Sequence, residues 1–211
     1  MIFPTDLKKI GKIEGLENVS IKDLPQLYRA DLNFAMGMNK DLDKILQALP
    51  IHPEYSCVSI DTRSHMLMKD MYPCIPGWHC DDFYRETKDH QPALDKLNEK
   101  APQLHYVLVL GDCSRTEFPS GDLELPNPAS LSTDKPLYLH YDEIIDNMDV
   151  KIIEVEPNVL YSFGPLCFHR GQAATKNGWR FFLRATFSNH REAKNEIRYQ
   201  TQVYTKQRVS W

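Results

Sequence analysis

The sequence predicts a mainly β protein in which short strands form a sandwich, a barrel or a jelly roll. Between residues 56 and 188 the chain holds runs rich in β-branched and aromatic residues: CVSI, HMLM, YVLVL, VKIIEVE, VLYSF and WRFFLRATF. Glycine, proline, asparagine and aspartate separate these runs, and the helical candidates there are brief, at ALDKLNEK and YDEIIDNM. Many short strands with turn residues between them favour this class over alternating β-α-β units.

The first 55 residues are predicted to be a mostly helical lead-in that packs on the core. Apolar residues recur at loose helical spacing in IKDLPQLYRADLNFAM, between Ile21 and Phe34. A second helix is predicted to open near Asn39 and to continue through DLDKILQALP, with Pro50 marking its end. We expect these N-terminal helices to flank the core by covering one face of a sheet.

The dipeptide Asn177-Gly178 lies between two strand-like runs and predicts a tight hairpin. Asparagine and glycine tolerate the positive φ angles that a two-residue turn requires. The run that follows, WRFFLRATF, would then be the returning strand.

Residues 189–211 form a basic, aromatic extension. Its cations and anions are Arg191, Lys194, Arg198, Lys206 and Arg208 against Glu192 and Glu196. The alternation of Ile197, Tyr199, Thr201 and Val203 suits an edge strand. We expect a solvated terminal strand, and the alternative is a contact surface for a substrate or a partner.

The composition is that of one ordinary globular domain. The chain has 211 residues, of which 42% are hydrophobic and 26% are charged. We therefore treat residues 1–55, 56–188 and 189–211 as parts of a single domain. A net charge of −4 and a pI of about 6.1 argue against a strongly electrostatic nucleic-acid binder.

Cysteine usage and the N-terminal sequence predict a cytoplasmic protein. The five cysteines are odd in number and contain no Cys-x-x-Cys pair, which favours reduced thiols over a disulfide framework or a zinc finger. The first residues, MIFPTDLKKIGKIEG, carry charge where a signal peptide would be apolar. No apolar run approaches the length of a membrane span, so no membrane association is expected.

Two His-x-Asp triplets are present, His79-Cys80-Asp81 and His140-Tyr141-Asp142. Chance alone would produce roughly 0.6 of them in a chain of this composition, so the triplet itself carries little weight. Their distances from His169 differ: His79 precedes it by 90 residues, which leaves room for four or five strands. The second triplet ends only 27 residues before His169 and leads into the candidate helix YDEIIDNM. We expect Asp142 to lie near that helix start, where a carboxylate favours the exposed amide groups.

His79, Asp81 and His169 are therefore the better candidate site. PGWHCDDF places the first triplet just after a Pro-Gly turn. In a strand, His79 and Asp81 would point to one face and Cys80 to the other. Two imidazoles and one carboxylate are the ligand set that holds Fe(II) on one side and leaves positions open.

Four segments, in the family's order, resemble the Fe(II)/2-oxoglutarate-dependent dioxygenases. They are IPGWHCDDF (75–83), HYVLVLGDCSRTEFPSGDLEL (105–125), VEPNVLYSFGPLCFHRG (155–171) and WRFFLRATF (179–187). The resemblance covers roughly residues 56–188, and TEF at 116–118 is similar to the phytanoyl-CoA hydroxylase-like branch. It implies a double-stranded β-helix core, a jelly-roll variant also found in cupins.

The same resemblance implies roles for individual residues. His79, Asp81 and His169 would ligate Fe(II), and Arg180 would bind the distal carboxylate of 2-oxoglutarate. Arg184 shares a strand face with Arg180 and is the alternative anchor.

Other residues near the motifs receive supporting roles. One of His105 and Tyr106 would hydrogen-bond the cosubstrate. Asp82 would point away from the ligand face, and Arg170, next to His169, would be structural. A pocket could be lined by Trp78, Phe83, Tyr84, Phe168, Trp179 and Phe182.

The implied activity is the oxidation of an organic substrate with release of succinate and CO2. The carboxylate at Asp81 points to hydroxylation, demethylation or desaturation, because related halogenating enzymes lack it. One rival is a cupin-like metalloenzyme without a keto acid, for which Glu117 or His105 could be a further ligand. Another is a non-catalytic β-sandwich binding module. A small-molecule substrate is expected; a nucleotide or nucleic acid is not excluded, and the oligomeric state is not predicted.

Overall fold

The structure, a computed structural model, describes residues 1–81, 104–189 and 192–205. Within these ranges the strands are β1 (Ile2–Phe3), β2 (Lys8–Lys12), β3 (Leu27–Tyr28), β4 (Ala30–Asp31), β5 (Cys57–Leu67), β6 (Leu104–Leu110), β7 (Thr116–Pro119), β8 (Leu123–Glu124), β9 (Ile152–Glu154), β10 (Val159–Phe163), β11 (Arg170–Gly171), β12 (Gly178–Ser188) and β13 (Glu196–Ile197). The α-helices are α1 (Leu32–Ala35), α2 (Lys40–Gln47) and α3 (Leu137–Asp146), and no helix of the described ranges is long and apolar enough to cross a membrane.

The protein is mainly β, and its strands pair antiparallel in two principal sheets. The large sheet has the order β2-β10-β6-β12-β5-β4, and the small sheet has the order β11-β7-β9. Val107 of β6, Phe118 of β7 and Phe163 of β10 belong to one buried cluster, so the two sheets pack face to face as a sandwich. The pairs β1–β8 and β3–β13 extend the structure at its margins.

The two longest strands of the large sheet, β5 and β12, are mostly buried, and their side chains alternate between the two faces of the sheet. In β12, Phe181, Leu183 and Phe187 pack on the helical side with α2. The alternate residues, Arg180 and Arg184, are also buried but point to the opposite face, toward the small sheet. The sheet therefore separates an apolar helix-covered side from a side lined by charged groups.

Helix α2 forms where its sequence predicts a helix. The Asn39 side chain caps it by accepting hydrogen bonds from the backbone N–H groups of Asp41 (2.8 Å) and Leu42 (3.2 Å). Leu42 and Ile45, one turn apart, are fully buried against the large sheet. This helix covers the face of the sheet that the charged residues do not use.

The rest of the lead-in differs from its helical prediction. Between Ile21 and Phe34 the chain makes one 3-10 turn, the short strands β3 and β4 and the four-residue α1. Pro25 removes a backbone donor from this stretch, and Arg29 has a φ of 47°, so one continuous helix cannot form. Earlier in the chain, β2 pairs with β10 at the edge of the large sheet, which the sequence pattern did not predict.

Two strand predictions also need correction. CVSI and HMLM are not separate strands, because β5 runs unbroken from Cys57 to Leu67 and pairs along its whole length with β12. Asn177-Gly178 is not the turn of a tight hairpin. Instead, Gly178 opens β12 opposite Leu67, and the Asn177 side chain accepts a hydrogen bond from the Lys69 N–H (2.8 Å).

The C-terminal extension lies across the margin of the sandwich. Of the predicted alternating strand only Glu196–Ile197 is regular, paired with β3. Further along, Tyr204 and Tyr72 exchange backbone hydrogen bonds of 2.8 and 3.0 Å. These two attachments hold the segment between them against the body of the protein.

Candidate metal centre

A two-residue backbone bridge brings the two candidate histidines together. The His79 N–H donates to the His169 carbonyl (3.0 Å), and the His169 N–H donates to the His79 carbonyl (2.9 Å). His169 directly precedes β11, so this bridge adds the His79 segment to the edge of the small sheet. The two imidazole ring centres consequently lie 4.7 Å apart although 90 residues separate them in sequence.

Both imidazoles are oriented by the backbone in the same way. Nδ1 of His79 lies 2.9 Å from the Gly77 carbonyl oxygen, and Nδ1 of His169 lies 3.1 Å from the Cys167 carbonyl oxygen. A carbonyl oxygen can only accept, so each Nδ1 carries a proton, and Nε2 is the ring nitrogen that remains to bind a metal ion. This is the arrangement that outer hydrogen bonds impose on metal-binding histidines.

The Asp81 carboxylate completes a group of three acceptors. Its Oδ2 lies 3.1 Å from Nε2 of His169, and its Oδ1 lies 3.8 Å from Nε2 of His79. The three candidate ligand atoms all lie within 4.8 Å of one another. Two imidazole nitrogens and a carboxylate oxygen at this spacing form a donor set that a divalent metal ion fits.

Burial and neighbouring charges set the protonation states of His79 and Asp81. Burial, followed by the neighbouring His169, lowers the pKa of His79 to about 4, so this imidazole is neutral near pH 7. Burial alone would raise the pKa of Asp81, but the charge of Arg184 and the contact with His169 hold it well below its usual range. A neutral His79 and an ionised Asp81 are the protonation states in which these two groups bind a metal ion.

The turn before His79 is fixed by α3. Gly77 has a φ of 118°, and a Cβ there would lie 3.2 Å from the Asp142 carboxyl group. The Asp142 side chain accepts a hydrogen bond from the Trp78 N–H (2.9 Å), and the Asp146 side chain accepts one from the Trp78 indole (3.2 Å). Because Gly77 also holds Nδ1 of His79, the helix sets the orientation of that imidazole.

Arg170 also stabilises the turn that precedes His79. Its guanidinium lies 4.3 Å from the centre of the Trp78 ring and forms ion pairs with Glu117 (2.7 Å) and Asp146 (2.8 Å). The Tyr138 hydroxyl donates to the Cys80 carbonyl (2.8 Å), one residue before Asp81. The positions of His79 and Asp81 thus depend on a rigid set of surrounding contacts.

The three candidate ligands open into a cavity of about 290 Å³, which is near the lower end of the size range of small-molecule pockets. One wall comes from the charged face of the large sheet, where antiparallel pairing sets residues of β5 opposite residues of β12. These opposed pairs are Asp61 with Arg184, Arg63 with Phe182, and His65 with Arg180.

Arg180 is a buried cavity-lining cation without a carboxylate partner among the residues described. It is 3% exposed, and its guanidinium donates to the Ser114 carbonyl (3.2 Å) and the Thr116 hydroxyl (2.9 Å). Burial lowers its pKa to about 10, which still leaves it charged near neutral pH. Neutral acceptors alone compensate a buried charge poorly, so an anionic ligand would gain strongly from this group.

Arg184 has carboxylate partners already. It forms an ion pair with Asp81 and another with Asp61 at 3.1 Å. Asp61 in turn accepts a hydrogen bond from the Arg29 N–H (3.1 Å). Arg184 therefore positions the Asp81 carboxylate, while Arg180 keeps donors available for a ligand.

Tyr106, predicted to contact a cosubstrate, lies on the wrong face of β6 for that role. Its hydroxyl lies 2.6 Å from Nε2 of His52, and its ring packs against Phe187 on the helix-covered side. Alternation along the strand places His105 on the inner face instead, where its ring stacks on Phe163 and its Nδ1 lies 3.0 Å from the Thr186 hydroxyl.

The remaining sequence candidates lie outside the ligand group. Glu117 pairs with Arg170, and neither it nor His105 belongs to the group of potential metal ligands found within the described ranges. Asp142 lies in the middle of α3 rather than at its start, because the helix begins earlier, at Leu137. Among the aromatic candidates, Phe182 lines the cavity; Asp82, Phe83 and Tyr84 lie outside the described residues.

Several lining residues were not identified as site residues by the sequence analysis, and five of them are polar or charged residues that matter below. They are Asp61, Arg63, His65, Arg198 and Tyr204. The first three alternate along β5, and such alternation is equally typical of a solvent-facing strand. Only the pairing of β5 with β12 shows that this face turns inward.

Comparisons with known proteins add little to this description. No family model matches the chain, and no curated protein matches its sequence. The structure is similar to EvdMO1 at 12% sequence identity and a TM-score of 0.44, covering 89% of this chain and 48% of that chain. The chain therefore spans about half the length of EvdMO1. At this level of similarity the likeness carries no conclusion about function, which has to be inferred from the site.

Proposed function

We propose that the protein is an Fe(II)- and 2-oxoglutarate-dependent oxygenase that oxidises a small organic substrate and releases succinate and CO2. The observation that carries the proposal is that two imidazole nitrogens and one carboxylate oxygen lie within 4.8 Å of one another. Two histidines and one carboxylate leave coordination positions open, as a centre that binds both a keto acid and O2 requires.

The second support is the position of Arg180 in the same cavity. A guanidinium offers two parallel N–H donors to a carboxylate, and Arg180 is buried without such a partner among the described residues. In our proposal it holds the distal carboxylate of 2-oxoglutarate. Arg184 is the weaker candidate, since Asp61 and Asp81 already engage it.

The order of the strands supports a double-stranded β-helix core. From β5 onward the chain passes repeatedly between the sheets: β5, β6, β10 and β12 lie in the large sheet, while the His79 segment, β7, β9 and β11 lie on the small one. Eight strands distributed between two facing antiparallel sheets are typical of a jelly roll. The candidate ligands then come from the edge of the small sheet, and Arg180 comes from the facing sheet.

The division of labour follows from these positions. Fe(II) and 2-oxoglutarate, when bound, would supply the electrons that activate O2 for the oxidation of an unreactive C–H bond. Gly77 and Cys167 keep the proton of each imidazole on Nδ1, so that Nε2 remains a ligand. Arg184 keeps Asp81 ionised, and Phe182 supplies an apolar surface within an otherwise polar wall. Because Asp81 supplies the carboxylate, we propose hydroxylation, demethylation or desaturation as the outcome.

A cupin-like metalloenzyme without a keto acid is less well supported. Such a site would need a further protein ligand, and the two candidates for it, Glu117 and His105, contact Arg170 and Thr186 instead. That alternative also leaves Arg180 without a function.

The proposal is tested by measuring succinate formed from 2-oxoglutarate by purified protein with Fe(II) and O2. The wild type should form succinate slowly alone and faster with its substrate, and Asp81→Ala should lose at least 95% of this activity, because it removes one of three ligands. Asp122→Ala, a change of an exposed aspartate outside the cavity, is the matched control and should keep it. Full activity in Asp81→Ala would refute the assignment.

A further inference from the structure

The cavity carries more positive charge than the proposed cosubstrate needs. Its described wall contains the four arginines 63, 180, 184 and 198 but only two carboxylates, those of Asp61 and Asp81. Both carboxylates pair with Arg184. Since the charges of a divalent metal ion and a dicarboxylate cancel, binding both would leave this excess of positive charge unchanged.

Arg63 is the central member of this excess. It projects from β5 opposite Phe182 and next to the His65–Arg180 pair, and it is only partly exposed. No hydrogen bond or ion pair engages its guanidinium within the described part of the chain. A cavity-facing guanidinium without such contacts is stabilised most by a ligand that brings negative charge.

Arg198 reaches the same cavity from the C-terminal extension. Its guanidinium stacks 4.4 Å from the centre of the Tyr28 ring, and its Nε donates to the Leu27 carbonyl (3.4 Å). These contacts orient the group while leaving its two terminal nitrogens without a partner among the residues described. Burial, followed by the charge of Arg63, lowers the pKa of Arg198, so the two cations are near enough to repel each other.

An anion that contacts both cations relieves their mutual repulsion. The fixed positions also favour this: Arg63 is held on a strand paired along its whole length, and the Arg198 backbone N–H donates to the Gln26 carbonyl (2.8 Å). A ligand therefore meets donors that lose little freedom on binding.

We propose that the substrate is an anion, a carboxylate or a phosphate ester, whose charged group binds between Arg63 and Arg198. This inference deepens the proposed function: Arg180 takes the cosubstrate, and the Arg63–Arg198 pair takes the substrate. The C-terminal extension is thereby a wall of the substrate site and contributes one of its two charges.

The test is calorimetric titration of the full-length protein with two simple probes, inorganic phosphate and benzoate. Anaerobic Fe(II) and saturating 2-oxoglutarate are present, so that Arg180 is occupied. At least one probe should bind, and Arg63→Gln and Arg198→Gln should each weaken that binding at least tenfold. Preference for phosphate or for benzoate identifies which kind of anion the substrate carries.

Lys8→Gln is the matched control, since it removes the same charge from an exposed position on β2 outside the cavity. It should bind the probe as the wild type does. Arg63→Lys keeps the charge but loses the planar pair of donors, so it should bind with intermediate strength. Thermal unfolding of each variant shows that the loss of binding is not a loss of folding.

Three results would overturn the inference: no binding of either probe, equal binding by Arg63→Gln and the wild type, or a loss that occurs in Arg180→Gln alone. Failure of the proposed function looks different. Repeating the titration without Fe(II) and 2-oxoglutarate separates the two, because an anion site that depends on Arg63 would persist in a protein that never binds a keto acid.

Discussion

Asp81 contacts His79 and His169 on one side and Arg184 on the other. The position of its carboxylate depends on all three contacts. The guanidinium of Arg184 neutralises part of the charge that a metal ion would otherwise use, yet it also keeps the carboxylate ionised and aimed at the imidazoles. Arg180, four residues before Arg184 and on the same strand face, has no carboxylate partner among the described residues. The two arginines therefore have separable effects on metal and cosubstrate.

Arg180→Gln should raise the KM for 2-oxoglutarate about 30- to 150-fold and change the affinity for Fe(II) little. The reason is that a charge-assisted bidentate contact to a carboxylate contributes about 2–3 kcal/mol. Arg184→Gln should lower the affinity for Fe(II) and change the KM for 2-oxoglutarate little, because it removes the partner that orients Asp81. Steady-state kinetics and anaerobic iron titration of both variants check this. A large rise in KM for 2-oxoglutarate in Arg184→Gln only would exchange the two roles.

His65 predicts a pH dependence of stability. Burial, followed by the charge of Arg180, lowers its pKa to about 3, whereas an exposed histidine in the unfolded chain titrates near 6.5. Between these values the unfolded state binds the extra proton, so stability is full above pH 6.5 and falls as the pH is lowered toward 3.

In urea titrations, lowering the pH from 6.5 to 5 should cost the wild type about 1.6 kcal/mol through this group. His65→Asn keeps a polar side chain but cannot take up the proton, so its loss over the same interval should be smaller by that amount. Identical pH profiles for the two proteins would show that His65 is not responsible.

At the scale of elements, α3 and the turn at Gly77 act together. The sequence analysis identified both the turn and the helix but not their contact. Asp142, assigned to the helix start, actually lies in its middle and accepts the Trp78 N–H. Only the packing of the helix on the turn, far apart in sequence, creates this contact.

Gly77→Ala should therefore lower both the stability and the affinity for iron. The added methyl would force an alanine to a φ of 118° and would crowd the Asp142 carboxyl group at 3.2 Å. Gly121→Ala is the control, because Gly121 also has a positive φ, 97°, but a Cβ there meets nothing within 4 Å. Both should lose about 1–3 kcal/mol of stability, and only Gly77→Ala should also bind iron more weakly. Equal iron affinity in both variants would show that the turn does not set His79.

Elements with strong local signals were predictable, and those defined by distant partners were not. Asn39 caps α2 and β10 coincides with the run VLYSF, since capping and apolar runs act within a few residues. The short strands β1, β3 and β4 exist only through pairing with β8, β13 and β5. Two or three residues carry no periodicity from which such strands could be read.

For the molecule as a whole, the sequence predicted the ligand candidates better than the cavity that contains them. His79, Asp81 and His169 were selected by spacing and resemblance, and the structure brings these three together. Arg63 was not identified, and the basic extension with Arg198 was expected to be a solvated strand with a contact surface only as the alternative, because a charged strand face and a basic tail are typical of solvent-exposed segments. Their burial depends on how the two sheets and the extension assemble.

The N-terminal 55 residues are an integral part of this assembly. β2 pairs with β10, β4 pairs with β5, and α2 buries Leu42 and Ile45 on the large sheet. A chain that starts at residue 56 would expose this apolar face and should not unfold cooperatively. Thermal unfolding of that truncated chain, compared with the full-length protein, tests this, and a sharp two-state transition of the truncated chain would contradict it.

The central claim is that one centre binds both a metal and a keto acid, and anaerobic absorption spectroscopy tests it most directly. Adding 2-oxoglutarate to the Fe(II)-loaded wild type without oxygen should produce a visible metal-to-ligand charge-transfer band that saturates at one equivalent. His169→Ala should give no band, and Arg180→Gln should give one only at much higher 2-oxoglutarate. Iron binding with no band at any concentration of 2-oxoglutarate would contradict the account and leave a metal site of another kind.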